Sequence, residues 1–345
     1  MAVVAGNLAA GRGNRIFGLA ATYIGTVVGA GFASGQEIWT FFSCCGLFGF
    51  AGLCLSGLLF AVAGVKAMDL GSKVRPGETY YQTLQALFGA WAPLLDLILL
   101  FFLLILSGVM LAGMGALAGV FHLSSWIGIV FSALLGLMVI ALDLQGLILV
   151  NKIVVPCLIV LSGLVTLWNL RPIPSLPSGA HVLGIVPSAL LYASYNIVLS
   201  LPVLTALGQA EQDRSIRLSG SIWGASGLSL IGSLILAAMF GHYRIATTAE
   251  VPMAEIAMGM GPLIWFGFSL ILWAEMFSTL IADVYGVAVR FKQIFNGSRL
   301  IWAVLAMTGG GFLSSMGFAR LIKIAYPAFG LICLVVLVRL LWPKI

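Results

Sequence analysis

Runs of about twenty apolar residues recur along the whole chain, each long enough to cross a hydrocarbon core, with short polar breaks between them. This pattern predicts ten membrane-spanning helices, at 16–42, 44–66, 92–120, 125–143, 146–169, 180–207, 218–241, 262–289, 299–318 and 322–342. The short alternating segments of a β-barrel are not seen, so the predicted class is an all-α polytopic membrane protein. Residues 1–15 read as a short tail ahead of the first span, whose apolar stretch is too long for the core of a signal peptide.

Composition agrees. Of the 345 residues, 61% are hydrophobic and 8% charged, against about 25% charged in a soluble domain. The net charge of +6 does not mark a nucleic-acid binder, because the basic residues are spread along the chain rather than clustered. They follow membrane topology instead. With the N-terminus in the cytoplasm, twelve of the 17 Lys and Arg residues fall inside. Four (Arg171, Arg244, Arg320 and Lys323) fall outside, and Lys152 lies within a span. That is the positive-inside asymmetry, and it predicts a bacterial-type cytoplasmic membrane protein with both termini inside. The five cysteines have neither zinc-site nor disulfide-framework spacing and read as small apolar residues. No metal or organic cofactor is expected. The bilayer and a small-molecule solute are the expected partners, and the sequence carries no reading of oligomeric state.

The stretch 170–179, "LRPIPSLPSG", has the composition of a semi-rigid linker and splits the ten spans into five and five. An odd number of spans per half starts the second half on the opposite side of the membrane. Two halves of one fold, 16–169 and 180–345, are then inverted repeats. Each opens with a span interrupted by small and polar residues, which is the sequence pointer to a transporter's central site.

The first interruption is "GTVVGAGFASGQE", residues 25–37. Glycine costs about 1 kcal/mol against alanine inside a helix, so Gly25, Gly29, Gly31 and Gly35 weaken this span most. Unwinding around 29–33 frees peptide groups that lipid cannot satisfy. Close helix packing through small-xxx-small spacing accounts for the glycines equally well. It does not account for Glu37, because a carboxylate in a span is a functional candidate by default. The counterpart in the sixth span, "VPSALLYASYNIVLSLPVL" at 186–204, sets Tyr192, Ser194, Tyr195 and Asn196 between Pro187 and Pro202, and a broken helix is expected there too. In the eighth span Glu275, Ser278, Thr279 and Asp283 share a helical face. Their oxygens suit a hard cation such as Na⁺. The alternatives are a proton carried by Glu37, Glu275 or Asp283, and hydroxyls that merely bond back to their own helix.

Ten spans as 5+5 with a glycine-broken first span, a broken sixth and a Ser-Thr pair in the eighth resemble the amino acid-polyamine-organocation superfamily with the LeuT fold. The 25–37 stretch is closely similar to the YkvI-type membrane proteins within it. The resemblance implies alternating access. It places substrate around Gly29, Ala30, Gly31, Tyr192 and Ser194, with Tyr195 and Asn196 beside them. It places a sodium ion between the carbonyls of Gly25, Val28 and Glu275 and the hydroxyls of Ser278 and Thr279. Glu37 and Glu275 depart from the sodium-coupled pattern, which leaves proton coupling or a cationic substrate open. The expected function is cation-coupled secondary transport of a small polar solute such as an amino acid or amine, with Na⁺ favoured over H⁺. The alternative is a non-transporting ligand sensor on the same fold. An intramembrane enzyme is not expected, since no histidine that might serve as a base lies mid-span.

Overall fold

The computed structural model describes residues 11–75, 80–142, 145–172, 182–295 and 297–342, and they are helical with no strand among them. The first predicted span is three pieces, α1 (Arg12–Val27), α2 (Ala30–Ala33) and α3 (Gln36–Phe42). After a 3-10 segment follow α4 (Gly49–Gly71), a short α5 (Tyr80–Phe88), α6 (Ala92–Val120), α7 (Ser125–Leu142) and α8 (Gln145–Trp168). Next come α9 (Ile185–Ala210), α10 (Arg214–Gly241), two short helices α11 (Tyr243–Thr248) and α12 (Pro252–Ala257), and the 34-residue α13 (Pro262–Phe295). The described chain ends with α14 (Arg299–Ser314) and α15 (Phe318–Leu341). Among the described residues six segments are long and apolar enough to cross a membrane, and three further apolar helices, Ser125–Ala141, Val154–Trp168 and Arg299–Ser314, are shorter.

The helices sort into two packing groups. One comprises α1, α4, α9 and α10, the other α6, α7, α13 and α14, while α8 and α15 lie against both. Ion pairs on the face that carries the start of α1 reinforce each group separately. Arg15 bonds Glu211 at the end of α9 through Nε at 2.9 Å, and Arg217 of α10 grips Asp69 of α4 at 2.8 Å. Arg290 of α13 holds Asp96 of α6 at 2.5 Å. The opposite face is covered by the 243–260 segment, where Val251, Met253, Ala254 and Ala257 are wholly buried.

Three expectations change. The sixth span is not broken, since α9 runs without interruption from Ile185 to Ala210. Pro187 falls in its first turn, where an N–H has no helical acceptor anyway. Pro202 removes a single interior bond and leaves the helix to continue. The polar side chains of α9 also bond to helix carbonyls, Asn196 Nδ2 to Tyr192 O and Ser194 Oγ to Leu191 O, both at 2.9 Å. The tail predicted to reach residue 15 is already helical at Arg12, because Arg12 and Arg15 find Ser215 and Glu211 beside them. Asp96, near a predicted span end where the sequence leads one to expect a solvated carboxylate, is buried and paired with Arg290. Residues 1–10, Asp143, 173–179 of the linker, His181 and the side chain of Lys152 lie outside the described residues. The five cysteines are free thiols, with Cys44 and Cys54 exposed.

Several glycines are set by contact. A Cβ at Gly208 would collide with the backbone of Met68, and one at Gly71 would sit 2.5 Å from Thr205 O, so α4 and α9 cross with their backbones touching. Gly310, in the "TGGGF" run, likewise rests on Ser107 and Gly108 of α6. A Cβ at Gly163 would meet nothing within 4 Å. Gly71→Val and Gly208→Val are therefore expected to cost about 1–3 kcal/mol by overpacking and to lower the thermal midpoint of the purified protein. Gly163→Ala should hold or raise it, by up to about 1 kcal/mol of helix propensity.

Candidate binding site at the broken first helix

The break begins where Gly29 turns extended (φ −104°, ψ −172°) and its N–H bonds Val27 O at 3.0 Å instead of reaching back to Gly25. The helical ladder resumes with Gly29 O as its first acceptor, from Ala33 N–H at 2.9 Å. The carbonyls of Gly25 and Val28 are thereby released from helical bonding. Around Gly29 there is open space, since a Cβ would meet nothing within 4 Å. Ala30 and Gly31 are buried in the four-residue α2, which packs against α13. Gly25 itself lies against Val155 of α8, so the packing reading of this glycine holds alongside its freed carbonyl.

A second break at Ser34-Gly35 is closed by the 243–260 segment. Gly35 is left-handed (φ 84°), and a Cβ there would lie 2.6 Å from Met239 Sδ, so both conformation and space demand glycine. Ser34 Oγ donates to Gly31 O at 2.8 Å, Met253 N–H donates to Ser34 O at 3.0 Å, and Gln36 Nε2 donates to Ala249 O at 2.8 Å. Peptide groups freed in the apolar interior are thus re-bonded by a neighbouring loop.

Glu37 opens α3 and is 6% exposed. Its Oε2 accepts from Tyr195 Oη at 2.8 Å, and its Oε1 lies where a Gly31 Cβ would collide with it. One carboxylate thus joins the broken span to α9. Around it stands a wall of rings. Phe41 stacks on Tyr195 at 5.7 Å, Tyr192 meets Tyr195 edge-on at 5.8 Å, and Tyr326 of α15 is 5.1 Å from Tyr195. Asp283 and Glu275 are buried on α13, and among the described residues neither they nor Glu37 form an ion pair. Asp283 Oδ2, Glu275 Oε2 and Tyr192 Oη are buried without a hydrogen-bond partner.

The structure therefore brings Glu37, Tyr192 and Tyr195 together beside Gly31, while Asp283 is buried on α13. Ser194 stands apart, its hydroxyl donating to Gly330 O at 2.6 Å and so tying α9 to α15. Asn196 is likewise engaged with its own helix. Ser278 Oγ donates to Glu275 O at 3.1 Å, and Thr279 is half-buried one residue on. A cavity of about 810 Å³ lies between α6, α9 and α13, with Asp96 and Arg290 among its lining residues. It includes Val198 and Gly286, each one helical turn from Tyr195 and Asp283. Sequence reading missed Tyr326 and the Asp96–Arg290 pair. A lone tyrosine in an apolar span carries no local signal, and Asp96 and Arg290 sit near span ends where charges are ordinary.

No protein-family model matches the chain. It is 31% identical over 338 residues to the uncharacterized membrane protein YkvI of Bacillus subtilis, covering 94% of this chain and 95% of that one. It is 25% identical to the uncharacterized protein YyaD of the same organism, over 92% of this chain and 94% of the other. Among solved structures it resembles the inward-facing conformation of Mhp1, with a TM-score of 0.57 at 13% identity, covering 92% of this chain and 73% of that one. It also resembles the Eremococcus coleocola manganese transporter, with a TM-score of 0.52 at 15% identity, over 92% and 77%. At these identities the likeness shows the fold alone, which is LeuT-like.

Losing the hydroxyl of Tyr195 strands a buried carboxylate, whereas Tyr192 carries a hydroxyl with no partner. Tyr195→Phe is expected to cost about 1–3 kcal/mol, the desolvation penalty of an orphaned acceptor. Tyr192→Phe should leave stability unchanged or improve it. Thermal midpoints of the two purified variants check the contrast.

Proposed function

Since the chain belongs to the family of the membrane protein YkvI, we propose that it is a secondary transporter of a small polar solute, working by alternating access and driven by a cation gradient. The observation that carries this reading is the break at Val28-Gly29. A span interrupted inside the membrane, packed on α13 and adjoining the buried carboxylate of Glu37, is the arrangement by which discontinuous helices bind solutes and coupling ions.

Three further features support it. The fold is shared with solved transporters. The two packing groups have separate ion-pair networks, as two bodies that move against each other require. The cavity between α6, α9 and α13 is lined by the Asp96–Arg290 pair, while Val251, Met253, Ala254 and Ala257 are buried at the second break. In this reading the ten spans form inverted halves of five, 16–169 and 180–345, with both termini in the cytoplasm of a bacterial cell.

For the coupling ion we favour Na⁺ between the released carbonyls of Gly25 and Val28, the Glu275 carbonyl and the hydroxyls of Ser278 and Thr279. The existing bond from Ser278 to Glu275 O is compatible with this, because the hydroxyl spends its proton and keeps its lone pairs. H⁺ carried by Glu37, Glu275 or Asp283 is the competing choice. Substrate contacts fall on Gly29, Ala30, Gly31, Tyr192 and Tyr195, with Ser194 and Asn196 holding α9 in place behind them.

The test is thermal stability of the purified protein in NaCl against KCl, at pH 5.5 and 7.5, followed by solute uptake into proteoliposomes. A saturable, Na⁺-specific rise, at least tenfold weaker in half-saturation for Ser278→Ala and Thr279→Ala, is expected. Stabilisation by low pH alone, lost in Glu275→Gln, would replace sodium with protons. Ligand binding without uptake of any solute under either gradient would replace transport with sensing.

A further inference from the structure

The last helix, α15, has two faces. Gly330, Cys333, Leu337 and Leu340 are buried, with Gly330 set against the backbone of Leu191 on α9. Leu331, Val335, Val338 and Trp342 are exposed. Together with Leu334, Arg339 and Phe88 of α5, these exposed residues line a groove of about 710 Å³. From Leu331 to Trp342 it runs about 16 Å along the helix, the depth of one leaflet in a hydrocarbon core about 30 Å thick.

An apolar face is ordinary on a helix bathed by lipid. What sets this one apart is the half-buried guanidinium of Arg339 in its wall. Arg339 Nε donates to Leu87 O at 2.9 Å, one of the carbonyls that the end of α5 leaves without a helical partner. That bond uses one of the five N–H groups of a guanidinium. Among the described residues Arg339 belongs to no ion pair, and no carboxylate lines the groove. Lys66 of α4 brings a second cation to the same helix end, where its ammonium donates to Leu341 O. A positive charge drawn partly out of water is stabilised by an anion, and the planar fork of arginine matches the oxygens of a phosphate. Trp342 lies beyond Arg339 and is the residue type that settles at headgroup level.

We propose that this groove binds one anionic phospholipid, its phosphate on Arg339 and its acyl chains against Leu331, Val335 and Phe88. Basic pockets at the ends of transmembrane helices hold phosphate headgroups by the same chemistry. A second copy of the chain fits worse. In a two-fold contact the same patch meets itself, and this patch offers a cation with no acid to receive it. The bound lipid spans the joint between α5 and α15, so its occupancy is read as stability. Lipid binding here is independent of whether the chain transports a solute.

The test uses the purified full-length chain in a neutral detergent, titrated with dioleoylphosphatidylglycerol or dioleoylphosphatidylcholine. The two lipids share their chains and differ in net charge. Phosphatidylglycerol should raise the thermal midpoint saturably, and phosphatidylcholine should need at least tenfold more. R339A should raise the half-saturating phosphatidylglycerol concentration at least tenfold. R339K, which keeps the charge but not the fork, should raise it severalfold. V335W fills the groove without touching the charge, so it should also raise it at least tenfold, and it guards against misfolding of R339A. L134W, at a comparably exposed position of α7, should leave it unchanged, and inorganic phosphate at equal ionic strength should have no effect.

Equal responses to the two lipids, a response that survives R339A and V335W, or one reproduced by inorganic phosphate would overturn the proposal. So would a dimer in native mass spectrometry that V335W dissociates and phosphatidylglycerol leaves intact, which would give the face to a second copy.

Discussion

A helix that stops inside a membrane leaves peptide N–H and C=O groups with no water to bond, and the rest of this structure is arranged around that constraint. The first span stops twice. At Ser34-Gly35 freed carbonyls are met by the protein itself, Gly31 O by the Ser34 side chain and Ser34 O by Met253 N–H, while the Gln36 side chain donates to Ala249 O of the 243–260 segment. Val251, Met253, Ala254 and Ala257 are wholly buried in making these contacts. At Val28-Gly29 the freed carbonyls of Gly25 and Val28 are left for something else to satisfy, beside the open space around Gly29. One break is structural and the other is an opening.

The second organising term is electrostatic. Burying an unpaired carboxylate costs several kcal/mol, and this interior holds Glu37, Glu275 and Asp283. Glu37 recovers part of that cost through Tyr195, and in doing so it fastens the broken span to α9. Asp283 and Glu275 each keep an oxygen without a partner. Polar groups left this way are expensive unless a solute or ion completes them part of the time. The ion pairs on the face carrying Arg15 follow the opposite logic. They are complete, and each closes within one packing group, so they stiffen the groups without locking them together.

These two terms meet at Gly31. Its missing side chain leaves room for the Glu37 carboxylate to fold back over α2. α2 packs on α13, which carries Glu275, Ser278 and Asp283. A change in what the cluster holds is therefore felt at once by the broken span, by α9 and by α13, which belong to different packing groups.

Much of the fold was legible in the residues alone. Apolar runs and polar breaks are local, and lipid enforces them strictly, so the predicted third span at 92–120 coincides with α6 and the others fall within a few residues of their helices. The glycines of 25–35 marked the broken span because glycine weakens a helix wherever it stands. The prolines of the sixth span misled, since Pro187 sits at a harmless first turn and Pro202 costs one bond that the packed helix absorbs. What the sequence could not hold is who meets whom. Glu37 and Tyr195 are 158 positions apart, and Tyr326 and the Asp96–Arg290 pair joined the picture only through the packing of α6, α13 and α15. Secondary structure and membrane exposure are decided residue by residue against one solvent, and so can be read from the chain. The site is decided by side chains from four distant helices competing for one interior, and only the tertiary structure settles that.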